Sequence, residues 1–314
     1  MGKKIKYGVI GVGHLGNFHV KQLLKIKSVD LVGVYDENNQ RLDEISKNYN
    51  IPKFNSAVNL LKQADAVSIV TPTTTHKDVA LLALENDCHL FIEKPVADNM
   101  NSAKLIQDKV KALNKVAHIG HIERFNPVFK KLQEGAHKPL FLECHRLSQL
   151  NNRSMDISVI LDLMIHDLDL VMHIVDSPIK HIIADGINVV SQSIDLANVK
   201  LTFENRCVVN LTASRISDKN MRKIRLFENN CYTSLDLLNH KISKHCANFS
   251  ESEGKLNFKN EQIKLDKYDA LKAELENFCN CIINNNSDFS NMDYSIRALD
   301  VALEINNIIK LKSN

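Results

Sequence analysis

Three glycines at the spacing G-x-G-x-x-G, Gly11, Gly13 and Gly16, constrain this chain more than any other short stretch in it. They follow "KIKYGVI", where alternation gives way to a fully apolar run, as in a buried strand. They open "HLGNFHVKQLLKI", where Leu15, Phe18, Leu23 and Ile26 recur at roughly helical spacing. In a strand, glycine turn, helix sequence the first glycine permits the tight turn, the second lets the backbone approach a pyrophosphate, and the third lets the helix lie close on the strand. The phosphates would sit at the helix N-terminus, where unpaired N–H groups and the dipole favour negative charge. The next apolar run, "LVGVY", ends at Asp36, twenty positions after Gly16, where a carboxylate can accept hydrogen bonds from an adenosine ribose. A dinucleotide site built from Gly11, Gly13, His14, Leu15, Gly16 and Asp36 is therefore expected. Because Asp36 would repel a 2′-phosphate, NAD is favoured over NADP. Arg41, five residues on, reads as a solvated helix residue.

Downstream, "ADAVSIV" and "CHLFI" read as further buried strands separated by helical stretches such as "HKDVALLALEN", the rhythm of parallel βαβ units. "KVAHIG" supplies the last strand of this half. From about residue 139 the rhythm changes. "NVKLTFENRCVVNLTASR" sets Val199, Leu201 and Phe203 on one face, turns near Asn205, and returns with Val209, Leu211 and Ala213. "KIRLFENNCYTSLDL" repeats the pattern with a turn at Asn229 and Asn230. Between the two regimes "DISVILDLMIHDLDLVMHIV" is too long and too apolar for a strand and reads as a mostly buried helix. Two amphipathic helices close the chain. The expectation is an α/β protein: an N-terminal Rossmann dinucleotide-binding domain, residues 1–120, and a C-terminal α+β domain with a largely antiparallel, open-faced sheet, residues 121–314, serving substrate binding and dimerisation.

Composition removes several classes. With 40 basic and 37 acidic residues the net charge is +3, and the lysines are dispersed, so no nucleic-acid footprint forms. No stretch approaches the roughly 18 apolar residues of a membrane span. The apolar patch near the start is cut by four glycines and offers no signal-peptide cleavage site. Seven cysteines without a C-x-x-C pair suit reduced thiols, and neither disulfides nor a metal site are expected. These features point to a cytoplasmic protein acting on a small molecule, with a homodimer or homotetramer as the expected assembly.

Thr71, Pro72 and His76 stand at the end of one strand and Glu93, Lys94 and Pro95 at the end of the next, and ligands bind at the carboxyl ends of strands in open α/β sheets. This T-P-x-x-x-H leading to E-K-P resembles the glucose-fructose oxidoreductase/inositol dehydrogenase family, Gfo/Idh/MocA, over nearly the whole chain. The resemblance implies a two-domain NAD(P)-dependent oxidoreductase acting on sugars, cyclitols or sugar nucleotides, with Thr71, Pro72, His76 and Glu93 near the cofactor. It makes Lys94 the catalytic-site lysine, able to stabilise charge on the reacting oxygen. In "LDLMIHDLDL", Asp162 and His166 stand one turn apart and match the family's D-x-x-x-H, whose histidine is the usual general base. Asp162 would orient it or hold a neighbouring hydroxyl. Asp167 and Asp169 read as capping or solvating the helix, and His173 as core or interface.

"GHIERFNP" lies where the chain passes between the two domains, and the family commonly has R-F-x-P there. Arg124 can grip a substrate hydroxyl, phosphate or carboxylate, or form an interdomain salt bridge. Phe125 is expected at the seam, and Pro127 in the first turn of a helix. "GHIERFNP" together with "HRLSQLNNRSMDISVILDLMIHDLDL" is similar to the branch of the family that acts at C3 of UDP-N-acetylglucosamine, with Arg146 and Arg153 available to a diphosphate. A dehydrogenase of myo-inositol or a free sugar, and a non-catalytic sensor of NAD or sugar nucleotide, stay open as alternatives. The complete Lys94 and His166 pair argues against the sensor.

Overall fold

In the computed structural model, residues 4–150, 157–250, 255–286 and 289–313 are described. Five strands, β1 (Ile5–Ile10), β2 (Val29–Tyr35), β3 (Ala66–Ile69), β4 (His89–Glu93) and β5 (Ala117–Gly120), form one parallel sheet in the order β2-β1-β3-β4-β5. The strands are near-continuous apolar runs because helices cover them, as parallel sheets require. The order reverses beside β1, so the turns after β1 and β3 open at the sheet's switch point, the crevice that binds ligands in doubly wound folds.

A cluster of Tyr7, Val9, Val20, Leu23, Val34 and Phe91 fills this unit and takes in Leu275 and Phe278 from the late helix Ala270–Ile283. The Phe278 ring meets Tyr7 and Phe91 edge-on, at centroid distances of 6.0 and 5.8 Å. Contacts therefore divide the chain between Ile122 and Glu123 and return Asp269–Arg297 to the first unit, whereas the sequence reading places that helix in the second domain. Its apolar face was evident. Which surface it covers depends on Phe91 and Tyr7, which lie far earlier in the sequence.

Among the described residues the second unit holds eight strands: β6 (Phe141–Leu147), β7 (Ile179–Ile187), β8 (Leu196–Phe203), β9 (Val208–Ser214), β10 (Met221–Glu228), β11 (Cys231–Asp236), β12 (Lys241–Ser250) and β13 (Lys255–Lys264). Their order is β13-β12-β11-β10-β6-β9-β8-β7, antiparallel except where β6 runs parallel to β9. Val199, Leu201, Phe203, Val209, Leu211 and Ala213 join one core, as their alternation predicts. The hairpin between β10 and β11 turns at Asn229 and Asn230, and Asn230 takes the left-handed conformation (φ 61°) that asparagine tolerates. Pro127 opens the helix Pro127–Gln133.

Two findings correct the sequence reading. Cys231 and Cys246 face one another across β11 and β12 and are joined as a disulfide, although all thiols were expected reduced. The pairing was illegible because β12, rich in Lys, Ser and Asn, carries no clear strand signal. The long apolar helix does form, but Ile160–Met164 is π-helical before α-helix takes over at Ile165–Val175. Such a widened turn is rare and is found at functional sites. Among the described residues no helix is long and apolar enough to cross a membrane, and no cluster of side chains could hold a metal.

Candidate active site

The glycine turn shows why each glycine is there. Gly11 sits at φ +86°, and a Cβ on it would fall 2.6 Å from the Val70 carbonyl oxygen. A Cβ on Gly16 would fall 1.9 Å from the Gly11 carbonyl oxygen, so only glycine lets the helix His14–Leu23 start this close to β1. A Cβ on Gly13 would meet nothing within 4 Å, so the turn is open on that side. Asp36 closes the turn: its carboxylate accepts hydrogen bonds from the Val12 and Asn38 backbone N–H groups, at 2.7 and 2.8 Å, and stays half-exposed. Arg41 is not simply solvated. Its Nε donates to the Val12 carbonyl oxygen at 2.9 Å while a terminal nitrogen pairs with Glu44, so it braces the loop that Asp36 also holds.

At the end of β3, Thr75 Oγ1 donates to Thr71 Oγ1 and to the Pro72 carbonyl. His76, buried, faces the Thr71 carbonyl through Nε2 and the Pro95 carbonyl through Nδ1, at 2.9 and 3.0 Å, and so ties the two strand-end motifs together. Burial lowers its pKa even though both carbonyls favour the charged ring, so the neutral imidazole donates to one of them. Its role is to hold the loop in place.

Glu93 is held just as firmly. His19 Nε2 lies 2.9 Å from its Oε1, the Lys94 backbone N–H donates to its Oε2 at 3.2 Å, and a Cβ on Gly120 would fall 2.9 Å from Oε1. His19 Nδ1 continues to Ser68 Oγ at 3.1 Å, and Ser68 Oγ to the Tyr7 hydroxyl at 2.9 Å. Burial alone would raise the Glu93 pKa, but the His19 hydrogen bond and the Lys94 charge hold it below the usual carboxylate range. Sequence reasoning missed this chain. Its signals were a polar Ser68 in an otherwise apolar strand and a histidine three residues past Gly16.

In the second unit Asp162 and His166 are partly buried and lie on the helical run that begins at the π turn. Asp167 and Asp169 are buried instead of solvated, and each meets an arginine. Arg146 donates to Asp167 from Nε and one terminal nitrogen (3.1 and 2.7 Å) and to Glu123 from the other (2.9 Å). Arg222 adds a contact to Glu123 at 3.1 Å, and Asn126 donates to the same carboxylate at 3.1 Å. Burial opposes the charge on Glu123, but Arg146 and Arg222 hold its pKa below the ordinary value. Arg124 grips Asp169 through Nε at 2.7 Å and through a second nitrogen. The Glu-Arg of "GHIERFNP" thus anchors the helix bearing Asp162 and His166 from inside its own unit. Arg146 is committed to these acids and not to a diphosphate. Arg153 lies outside the described residues. Phe125 lies under the Lys130 ammonium at 4.8 Å, and His173 Nδ1 lies 2.8 Å from the Asp169 carbonyl.

A doubly wound sheet with E-K-P at a strand end, followed by a unit whose largely antiparallel sheet is joined by a helix bearing D-x-x-x-H, defines a class of oxidoreductase. The oxidoreductase family model with an NAD-binding Rossmann fold matches residues 5–121, and the Gfo/Idh/MocA C-terminal domain model matches residues 118–229. The chain belongs to the Gfo/Idh/MocA family and is an oxidoreductase acting on CH–OH groups. It is 37% identical over 302 residues, 96% of each chain, to UDP-N-acetylglucosamine 3-dehydrogenase of Acidithiobacillus ferrooxidans. A solved structure of that enzyme superposes with a TM-score of 0.91 over 98% of both chains. Scyllo-inositol 2-dehydrogenase (NAD(+)) of Bacillus subtilis is 28% identical over 59% of this chain and 58% of its own. Scyllo-inositol dehydrogenase of Lactobacillus casei, solved with NAD(H) and scyllo-inositol, shares the fold at a TM-score of 0.82 and 18% identity.

Proposed function

We propose that the protein oxidises the C3 hydroxyl of UDP-N-acetylglucosamine with NAD as hydride acceptor. One observation carries this reading: the likeness to the sugar-nucleotide enzyme runs over 96% of both chains, whereas the inositol dehydrogenase of Bacillus subtilis matches over 59% of this one. The first unit suits a dinucleotide, since the turn is open beside Gly13 and the half-exposed Asp36 carboxylate can accept from ribose hydroxyls. A nicotinamide cofactor held by the glycine turn and Asp36 would supply the hydride acceptor for the substrate carbon.

The remaining work falls to side chains. His166 removes the hydroxyl proton, for which an imidazole is suited because its ordinary pKa lies near neutrality. Lys94 donates a hydrogen bond to the same oxygen and stabilises the negative charge that grows there. Asp162, one turn before His166, orients the imidazole or holds a neighbouring sugar hydroxyl. Thr71 and Pro72 shape the cofactor side, while Glu93 and His76 fix the backbone on either side of Lys94.

The test incubates the protein with NAD and UDP-N-acetylglucosamine together with an aminotransferase that captures the 3-keto product, and seeks the aminated sugar nucleotide by mass spectrometry. No product, alongside brisk NAD reduction by myo-inositol or a free hexose, refutes the sugar-nucleotide reading and replaces it with the cyclitol or sugar one.

A further inference from the structure

We propose that His19 is a positioning residue of the reaction: it holds the Glu93 carboxylate and, through it, the main chain from which Lys94 projects. This rests on the role given to Lys94 above and deepens that reading by a residue outside the glycine turn, E-K-P and D-x-x-x-H. His19 lies on the helix His14–Leu23 and is 1% exposed. Its ring stands edge-on to Phe91 at a centroid distance of 5.3 Å, a packing that limits its rotation.

The direction of each hydrogen bond follows from what the partners can give. The Glu93 carboxylate only accepts, so His19 Nε2, 2.9 Å from Oε1, carries the hydrogen. In the neutral ring Nδ1 is then an acceptor, and the Ser68 hydroxyl 3.1 Å away donates to it. With its one hydrogen committed, Ser68 Oγ accepts from the Tyr7 hydroxyl at 2.9 Å. Tyr7 keeps its proton, because burial pushes the phenol well above its ordinary value. Tyr7 and Ser68 are both fully buried, so the tautomer of His19 is set from inside the sheet, away from solvent.

At the other end the carboxylate is confined. Its Oε2 accepts from the Lys94 backbone N–H at 3.2 Å, and a Cβ on Gly120 would fall 2.9 Å from Oε1, so only glycine lets Glu93 lie against β5. Without the imidazole, Glu93 can turn about its own side chain and release the Lys94 N–H. The lysine side chain then starts from a different place, and misplacing a catalytic group by about 1 Å can lower the rate by about 10².

The test compares His19→Leu, which removes both ring nitrogens, with His19→Gln, which keeps an N–H donor for Glu93, and with Ser68→Ala. Turnover is followed as NAD reduction with whichever substrate the wild type oxidises, so a failed substrate reading leaves the comparison intact. His19→Leu should lower kcat by about tenfold or more with KM for NAD within about twofold, and His19→Gln should recover kcat to within about threefold of wild type. In a Lys94→Ala background His19→Leu should change kcat by less than about twofold, because the group it positions is gone. Hydrogen–deuterium exchange of the protein without cofactor gives a readout apart from activity. The Lys94 amide should exchange about tenfold faster in His19→Leu, while the amides of Leu90 and Ile92 in β4 keep their rates. A kcat within about twofold of wild type, a loss that persists in full in the Lys94→Ala background, or faster exchange throughout β4 overturns the proposal. If His19→Leu does not fold, Ser68→Ala decides by the same cycle and the same amide. Near-normal kcat in Lys94→Ala sinks the role of the lysine itself, whereas a low kcat there with His19→Leu unimpaired sinks only the part given to His19.

Discussion

Replacing Arg146 by Met tests the claim that the catalytic helix is anchored by buried charge. Arg146 is 3% exposed and serves two carboxylates, but their losses differ. Glu123 keeps Arg222 at 3.1 Å and Asn126, whereas the Arg146 contacts to Asp167 at 3.1 and 2.7 Å both disappear. Methionine roughly fills the volume, so the cost is that of one buried carboxylate left uncompensated, about 3–5 kcal/mol. At roughly 2–4 °C per kcal/mol for a unit of this size, the melting temperature should fall by about 6–20 °C. Scanning calorimetry or urea denaturation measures it.

The pH dependence supplies a sharper check. Glu123 titrates below its ordinary value when folded, so the stability from its pairing is complete above the unfolded pKa of about 4.3 and is lost as pH falls through the lower folded value. In Arg146→Met the stranded carboxylates gain by taking up protons, so the deficit relative to wild type should shrink as pH drops from 7 towards 4. A deficit below about 1 kcal/mol at pH 7, or one that grows on acidification, refutes the reasoning.

Three further outcomes are expected. Asp36→Ala should lower the preference for NAD over NADP at least tenfold in paired calorimetric titrations; wild-type binding of NADP as tight as NAD would show that Arg41 dominates the site. Lys94→Ala and His166→Asn should each lower turnover by roughly 10² or more with NAD affinity nearly unchanged, and near-normal turnover in a folded variant removes that residue from the chemistry. Gly16→Ala, whose Cβ would fall 1.9 Å from the Gly11 carbonyl oxygen, must push the first helix away from the turn; kcat/KM should drop by about 10², and unchanged cofactor affinity would deny the helix start its part in binding.

What could be read from the sequence was what depends on near neighbours. The glycine turn and its Asp36 lie within one βαβ unit, and the hairpins of β8–β9 and β10–β11 close over a few residues, so period and turn chemistry suffice. The parallel contact of β6 with β9 joins residues more than sixty positions apart, and the disulfide depends on a strand whose polar face hides it. The π turn at Ile160–Met164 left no trace in composition, since one extra residue in a helical turn barely alters an apolar pattern.

Asp167 and Asp169 show a signal that was present and misread. An aspartate in a helix apolar on nearly every side cannot be solvated by default; burial demands a cation, and two such aspartates demand two. The chain supplies them as Arg124 and Arg146, with Glu123 set between Arg146 and Arg222. Once Arg124 and Arg146 are committed to the helix, they cannot also grip a diphosphate, so the phosphate-binding role that their charge suggested falls away for both.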